Sequence, residues 1–252
     1  MALEIAGLSV LADGRKVVGD VSLSVGPGRV TAILGANGAG KSELVLAVAG
    51  MLPVTAGAVR VDGLDITGRG PDAIRKAGVA AVPEGHRVLT RLSVEDNLRA
   101  AGSLQPAGLA AALADTYALF PELAERRQQL AGTLSGGQQQ MVALGHALMA
   151  RPKYILIDEM SLGLAPLIVK RLMGVVADLT ARNVGVILIE QFTELALGIA
   201  DEALVLRNGR THFNGTAAEL KARPDLLDAA YLAFDPATAA GGAQRTREQD
   251  NA

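Results

Sequence analysis

The stretch ILGANGAGKSEL, residues 33–44, decides the fold. From Gly35 it follows the pattern G-x-x-x-x-G-K-[ST], which ends at Lys41 and Ser42. Glycines let successive backbone N–H groups turn inward around phosphate oxygens, and a helix that starts there adds partial positive charge. The lysine can reach the β- and γ-phosphates of a nucleotide, and the serine hydroxyl can ligate Mg²⁺. We therefore expect phosphates to contact Asn37, Gly38, Ala39, Gly40, Lys41, Ser42 and Glu43.

The flanking sequence supports this phosphate loop, residues 35–42. The apolar run VTAIL (30–34) predicts a strand before it, and SELVLAVAGML (42–52) predicts a helix that Pro53 stops. Two more continuous apolar runs, YILIDE (154–159) and VGVILIE (184–190), are typical of parallel strands covered by helices on both faces. The chain is therefore predicted to be an α/β protein.

Alternating and helical segments fill in the rest of the chain. LEIAGLSV (3–10) and DVSLSVGPGRVTAIL (20–34) alternate as strands do, and Asp62-Gly63 and Asn208-Gly209 each predict a hairpin turn. Residues 94–150 consist mostly of helix formers and predict a helical subdomain, about 86–151, inserted into the α/β core. We expect a single domain over residues 1–236 and a disordered tail over 237–252, where periodicity is lost.

Composition excludes several classes of protein. The 24 basic and 26 acidic residues give a net charge of −2, which argues against a nucleic-acid partner. The absence of cysteine excludes disulfides and thiolate metal sites. The N-terminus has no secretory pattern, and no run of 18 uncharged apolar residues predicts a membrane span.

An acidic pair and a second glycine motif add chemistry. Asp158 would hold Mg²⁺ together with Ser42, and Glu159 would orient or deprotonate an attacking water. Far from the phosphate loop in sequence, SGGQ (135–138) opens a helix and offers more free N–H donors. One nucleotide does not need two such anion sites in one small domain. We expect Ser135, Gly136, Gly137 and Gln138 to close on the γ-phosphate held by a partner subunit.

The motifs GANGAGKS, LSGGQ, ILIDE and SLGLAP, in this order, resemble the ATP-binding subunits of ABC transporters. The resemblance covers residues 3 to about 234. In more detail, VPEGHRVLTRLSVEDNL, LSGGQQQM, DEMSLGLAP and IEQ resemble the second ATPase of branched-chain amino-acid importers. The resemblance implies a P-loop NTPase (RecA-like) core with an antiparallel β-subdomain and an inserted α-helical subdomain.

The family also implies roles and partners. Glu84 stands at the position of the lever-loop Gln, Gln191 at that of the switch His that senses the γ-phosphate, and residues 161–165 in the loop that touches the partner ATPase. The implied cofactors are ATP and Mg²⁺. The implied partners are a second ATP-binding subunit in a homo- or heterodimer, two membrane permeases and, indirectly, an external solute-binding protein. The expected location is peripheral, on the cytoplasmic face of the inner membrane.

Four positions depart from the family. Ala12 stands where a Tyr usually stacks on adenine, and Glu43 replaces a Thr that donates a hydrogen bond near the α-phosphate. Met160 replaces a Pro, which predicts a more flexible loop, and His146 replaces an Arg and is interpreted as a satisfied helix residue. Glu43 either repels phosphate or turns to solvent, where an acid in the first turn of a helix is favourable.

Three functions remain in view. The leading hypothesis is ATP hydrolysis that drives import of a small polar solute, which the resemblance makes a branched-chain amino acid, with urea or amides as other solutes. The second is a nucleotide-binding clamp with weakened hydrolysis, which Ala12 and Glu43 favour. The third is an ABC ATPase that acts on ribosomes or DNA, and the single cassette and net charge of −2 argue against it.

Overall fold

The computed structural model describes residues 1–85, 88–103 and 106–232. The predicted tail, 237–252, lies outside the described residues, as do positions 86–87 and 104–105 of the predicted helical subdomain. Within the described residues, no helix combines the length and apolar character that crossing a membrane requires.

A six-stranded sheet forms the centre of the molecule. Its strands are β3 (Val30–Leu34), β6 (Val79–Val82), β7 (Tyr154–Asp158), β8 (Gly185–Ile189), β9 (Glu202–Arg207) and β10 (Arg210–Thr216). Their spatial order is β10-β9-β3-β8-β7-β6, and every neighbouring pair is parallel except β10 with β9. This arrangement confirms the α/β prediction.

The central strands are buried on both faces, as their continuous apolar sequences predict. In β8, Val186 and Leu188 belong to one core cluster, whereas Ile187 and Ile189 belong to the other. Successive side chains of a strand point to opposite faces, so one apolar run supplies two cores. The sheet therefore separates the two cores and contributes side chains to both.

A four-stranded antiparallel sheet covers one side of the core. Its strands are β1 (Leu3–Ala12), β2 (Arg15–Val25), β4 (Val54–Val61) and β5 (Leu64–Asp65), in the order β2-β1-β4-β5. Both predicted hairpin turns are confirmed, since Asp62-Gly63 joins β4 to β5 and Asn208-Gly209 joins β9 to β10. All four turn residues have positive φ, between 51° and 85°, as a two-residue type I′ turn requires.

Helices flank the parallel sheet. They are α1 (Lys41–Val48), α2 (Pro71–Lys76), α3 (Val94–Gly102), α4 (Leu109–Leu119), α5 (Pro121–Ala124), α6 (Gly136–Leu148), α7 (Pro166–Ala181), α8 (Thr193–Ile199), α9 (Ala217–Lys221) and α10 (Pro224–Leu232). The four helices α3 to α6 lie between β6 and β7, inside the interval predicted as the helical subdomain. That this interval forms a separate subdomain of a single domain, 1–236, stays a prediction.

The first helix ends earlier than the sequence indicates. Pro53 was expected to stop it, but α1 ends at Val48, and Gly50 follows with a φ of 75°. A Cβ at Gly50 would lie 2.3 Å from the carbonyl oxygen of Arg69, so this turn requires glycine. A left-handed glycine just past the last turn is a common helix terminator, and here it acts before the proline is reached.

Candidate active site

Three neighbouring strands present their carboxyl ends at one edge of the parallel sheet. The phosphate loop follows β3, Asp158 is the last residue of β7, and Glu190 follows β8. Because β8 lies between β3 and β7, these three segments are brought together although they are far apart in sequence. Ligands of open α/β sheets bind outside the carboxyl ends of the strands, so this edge is the candidate active site.

The phosphate loop depends on close backbone contacts that only glycine allows. Gly35 has a φ of 146°, and a Cβ there would lie 2.3 Å from the carbonyl oxygen of Leu206. Gly40 has a φ of 97°, and its Cβ would lie 2.6 Å from the carbonyl oxygen of Val17. The loop is thereby packed against the chain segments around it, and α1 starts directly after it at Lys41.

Lys41 is folded back onto its own loop. Its ammonium donates hydrogen bonds to the carbonyl oxygens of Gly35, at 2.9 Å, and Ala36, at 3.1 Å. Only 4% of the residue is exposed, and burial lowers its pKa, against the opposing charges of Glu159 and Asp158 and, more weakly, Glu43 and Glu84. A buried cation surrounded by carboxylates and loop carbonyls can exchange those carbonyls for phosphate oxygens.

A cavity of about 520 Å³ opens above this lysine. Nine of the predicted site residues line it, together with Leu162, and they are Asn37, Gly38, Gly40, Lys41, Ser42, Glu43, Glu84, Glu159 and Gln191. Ala39 and Asp158 neighbour lining residues in the sequence, but both are buried and neither lines the cavity. The volume is within the range of small-molecule sites in proteins.

Asp158 provides a test of whether the site suits Mg²⁺. The residue is 2% exposed, and its Oδ1 atom has no hydrogen-bond partner among the residues that the structure describes. Burial raises its pKa to about 6, although the nearby Ser42 hydroxyl works against this shift. An orphaned carboxylate oxygen beside a serine hydroxyl is a donor set that hard cations prefer, so the residues fit the ion.

Glu159 is held in a fixed position at the cavity wall. Its backbone has a φ of 48°, and its N–H donates to the carbonyl oxygen of Ile189 at 3.0 Å. The Gln191 side-chain amide donates to Glu159 Oε1 at 2.9 Å. A left-handed backbone at a residue other than glycine is strained and needs such support. One carboxylate oxygen is thus oriented by Gln191, and the other is left for a reacting group.

Glu190 is a buried acid that the sequence analysis missed. It is 1% exposed, its Oε2 accepts a hydrogen bond from the Ser161 hydroxyl, and its Oε1 has no partner in the described part of the chain. Burial raises its pKa to about 6. The signal was an acid directly after an apolar strand, the same pattern that identified Asp158 and Glu159.

Three of the four departures from the family, at Glu43, Met160 and His146, have different structural contexts. Glu43 lies in the first turn of α1 and lines the cavity. Met160 is fully buried in the core, so its side chain anchors the loop that was expected to be flexible. The interpretation of His146 as satisfied is wrong, because its Nε2 is buried without a partner in the described ranges. Burial and the nearby Arg75 lower the pKa of His146 to about 4.

The signature segment, residues 135–138, lies outside the cavity. Ser135 caps α6, since its hydroxyl accepts from the N–H of Gln138 at 3.4 Å, and its own N–H donates to Gln138 Oε1 at 3.1 Å. None of the four residues lines the cavity around Lys41. The chain therefore has two separate sets of helix N-terminal donors, and it does not bring them together.

Comparisons with known proteins agree with this geometry. The family model "ABC transporter" matches residues 18–161. The high-affinity branched-chain amino acid transport ATP-binding protein BraG of Pseudomonas aeruginosa is 43% identical over 214 residues, 84% of this chain and 91% of the relative. The probable branched-chain amino acid transport ATP-binding protein LivF of Archaeoglobus fulgidus is 35% identical over 206 residues, 80% of this chain and 86% of the relative.

A solved structure of the ATP-binding subunit of an ABC transporter superposes with a TM-score of 0.79 at 28% identity, covering 92% of this chain and 98% of that one. The superposition confirms the predicted fold, a P-loop NTPase core with an antiparallel sheet and helices inserted between β6 and β7. The chain therefore belongs to the ABC transporter family, as one of its ATP-binding subunits.

Proposed function

We propose that this chain hydrolyses ATP to drive import of branched-chain amino acids. The observation that carries the proposal is the hydrogen bond from Gln191 to Glu159, which fixes a carboxylate at the wall of the cavity above Lys41. The substrate class rests on the 43% identity to BraG and the 35% identity to LivF, both named for branched-chain amino acid transport. This chain supplies the energy, and the solute is selected elsewhere in the transporter.

The chemistry follows from the charges around the cavity. Lys41 exchanges the carbonyl oxygens of its loop for the β- and γ-phosphates. Ser42 and Asp158 would hold Mg²⁺, which neutralises charge on the phosphates when it is bound. Glu159 accepts a proton from the attacking water, and the bond between the β- and γ-phosphates breaks to give ADP and phosphate. Gln191 keeps the carboxylate oriented.

The separation of the two donor sets supports a dimer. Ser135, Gly136, Gly137 and Gln138 lie outside their own chain's cavity, so they are available to a nucleotide held by a second ATP-binding subunit. Closure and reopening of this pair would act on two permeases through the groove near Glu84 and the inserted helices. The subunit would therefore sit peripherally on the cytoplasmic face of the membrane, with an external solute-binding protein as an indirect partner.

The second candidate function is a nucleotide clamp that hydrolyses weakly. Glu43 favours it, because this carboxylate lines the cavity and its charge reaches Lys41. A carboxylate 4 Å from a phosphate charge costs up to about 4 kcal/mol at an effective dielectric constant of 20. The clamp and the ATPase differ in whether Mg·ATP binds with Glu43 present.

Mg·ATP titration of Glu159→Gln protein, together with turnover assays of this variant, the wild type and a control variant, separates the two functions. We expect the variant to bind Mg·ATP in the micromolar range and to have no turnover, because its amide cannot accept a proton from water. Glu202→Gln, which changes an exposed carboxylate on β9, should leave turnover unchanged. Full turnover by Glu159→Gln would contradict the ATPase assignment.

Adding Glu43→Thr to Glu159→Gln tests the clamp. If Glu43 turns to solvent, this second change leaves the affinity for Mg·ATP within about threefold, since 0.6 kcal/mol corresponds to a factor of about three. Binding that appears only after Glu43→Thr would show that the acid repels phosphate, and the clamp would replace the ATPase as the assigned function.

A further inference from the structure

A side chain from the C-terminal helix reaches the base of the active site. The hydroxyl oxygen of Tyr231, in α10, accepts a hydrogen bond from the backbone N–H of Gly35 at 3.2 Å. The same oxygen accepts a second hydrogen bond from the Thr193 hydroxyl at 3.3 Å. A phenol oxygen has two lone pairs and can accept both at once. One atom therefore joins the phosphate loop, the C-terminal helix and the start of α8.

The first of these contacts holds the phosphate loop where it leaves β3. Gly35 is the loop's first residue, and its carbonyl oxygen receives the Lys41 ammonium at 2.9 Å. Its φ of 146° and its approach to the Leu206 carbonyl exclude any other residue. This restricted backbone conformation directs the N–H of Gly35 toward the Tyr231 hydroxyl.

The second contact holds the segment that carries Gln191. Thr193 is the first residue of α8 and lies two residues after Gln191, whose amide orients Glu159. We call residues 191–193 the switch segment. Between Gln191 and Thr193, Phe192 is 59% exposed, so it does not anchor the segment in the core. The hydroxyl of Tyr231 therefore holds the chain two residues after the residue that positions the carboxylate.

We propose that Tyr231 is a positioning residue, which sets the phosphate loop and the switch segment in the geometry needed for turnover. This proposal rests on the proposed ATPase function. The ring of Tyr231 packs against the large core cluster together with Leu226 and Leu227, so the helix is anchored by apolar contact. The hydroxyl is the part that reaches the site. Removing it leaves two donors without their acceptor and releases both segments.

Tyr231→Phe isolates the hydroxyl, because the ring and its packing are kept. We expect kcat/KM for ATP to fall at least fivefold, with a higher KM from the looser phosphate loop and a lower kcat from the looser switch segment. Tyr117→Phe is the matched control, since the Tyr117 hydroxyl is buried without a partner in the described residues. That variant should stay within twofold of the wild type.

Thr193→Val tests the effect of Tyr231 on the switch segment separately from its effect on the phosphate loop. It removes only the donor on the switch segment, so kcat should fall as in Tyr231→Phe while KM stays within twofold of the wild type. In the double variant Thr193→Val/Tyr231→Phe, kcat should fall no further than in Tyr231→Phe alone. Both substitutions remove the same hydrogen bond between Thr193 and Tyr231, so their effects on kcat should not add. Kinetic constants of Tyr231→Phe within twofold of the wild type, or additive losses of kcat, would overturn the proposal.

Hydrogen–deuterium exchange of the full-length, nucleotide-free protein provides a readout that does not need hydrolysis. Tyr231→Phe should raise exchange at the Gly35 amide about tenfold, and Tyr117→Phe should leave it unchanged. If the wild type had no ATPase activity, the proposed function would fail while this measurement still tested the bridge. Unchanged exchange at Gly35 in Tyr231→Phe would overturn the bridge itself.

Discussion

At the scale of single residues, the site is shaped by three carboxylates that the sheet forces together. Asp158 ends one strand, Glu159 follows it directly, and Glu190 follows the neighbouring strand. Burial raises the pKa of both Asp158 and Glu190 to about 6, and the charge of Glu159 adds to each shift. Such concentrated negative charge is typical of a place where a cation or another positive group is held. Lys41 is one such group within the chain.

Glu190→Gln should stabilise the protein at high pH. The pKa of Glu190 is about 6 in the folded chain and near 4.5 when unfolded, so the native state binds this proton more tightly. The ionised carboxylate therefore costs up to about 2 kcal/mol above pH 6, and the cost disappears as pH falls toward 4.5. A glutamine oxygen can still accept from Ser161.

Chemical denaturation at pH 8 and pH 4.5 measures this difference. The variant should exceed the wild type in free energy of unfolding at pH 8 and match it at pH 4.5. Glu202→Gln is the control and should show the same small difference at both pH values. A variant that is less stable than the wild type at pH 8 would show that the Glu190 charge stabilises the fold.

At the scale of elements, α6 combines two roles at its first residues. Ser135 and Gln138 form a capping box, which satisfies N–H groups at the start of the helix. The same segment is expected to bind a partner's nucleotide. Ser93 caps α3 in the same way, accepting from the Asp96 N–H at 3.0 Å, but it has no place in the predicted site. A comparison of the two serines therefore distinguishes the capping of a helix from the proposed binding of a partner's nucleotide.

Ser135→Ala and Ser93→Ala should each lower the free energy of unfolding by about 1 kcal/mol, the usual cost of losing a helix cap. Only Ser135→Ala should also lower the rate of ATP hydrolysis. Urea denaturation and a turnover assay on both variants provide the comparison. Equal turnover in Ser135→Ala and the wild type would limit Ser135 to the capping role.

At the scale of the whole molecule, the proposed dimer requires each chain to contribute half of each of two sites. The cavity above Lys41 contains no residue of the signature segment, 135–138. Two chains that face each other would place each signature segment on the other's nucleotide. This arrangement makes ATP itself part of the interface, so assembly should depend on nucleotide.

Sedimentation of Glu159→Gln protein should show one chain without nucleotide and two with Mg·ATP, because the unhydrolysed nucleotide keeps the pair closed. Gly136→Arg is the matched control. Gly136 is exposed at the start of α6, so the new side chain should block the partner's γ-phosphate while the variant's own cavity still binds Mg·ATP. A single chain at saturating Mg·ATP would contradict self-association and leave a different ATP-binding subunit as the partner.

The sequence by itself determined the local features of this protein. Both hairpin turns, the phosphate loop and the apolar strands were predictable, because each depends on neighbouring residues and their backbone preferences. The end of α1 was misplaced, since the approach of Arg69 that requires Gly50 comes from 19 residues away. Most of the predicted site residues line one cavity, because the motifs that contain them follow strands whose ends lie at the same edge of the sheet.

Only the tertiary structure decided which distant residues meet. The order β3-β8-β7 places Glu190 beside the acidic pair, and the packing of α10 brings the Tyr231 hydroxyl to Gly35, 196 positions away. It also showed that Met160 belongs to the core and that His146 Nε2 has no partner among the residues that the structure describes. Periodicity and motif spacing report contacts within an element, whereas strand order and helix docking depend on burying all apolar faces at once.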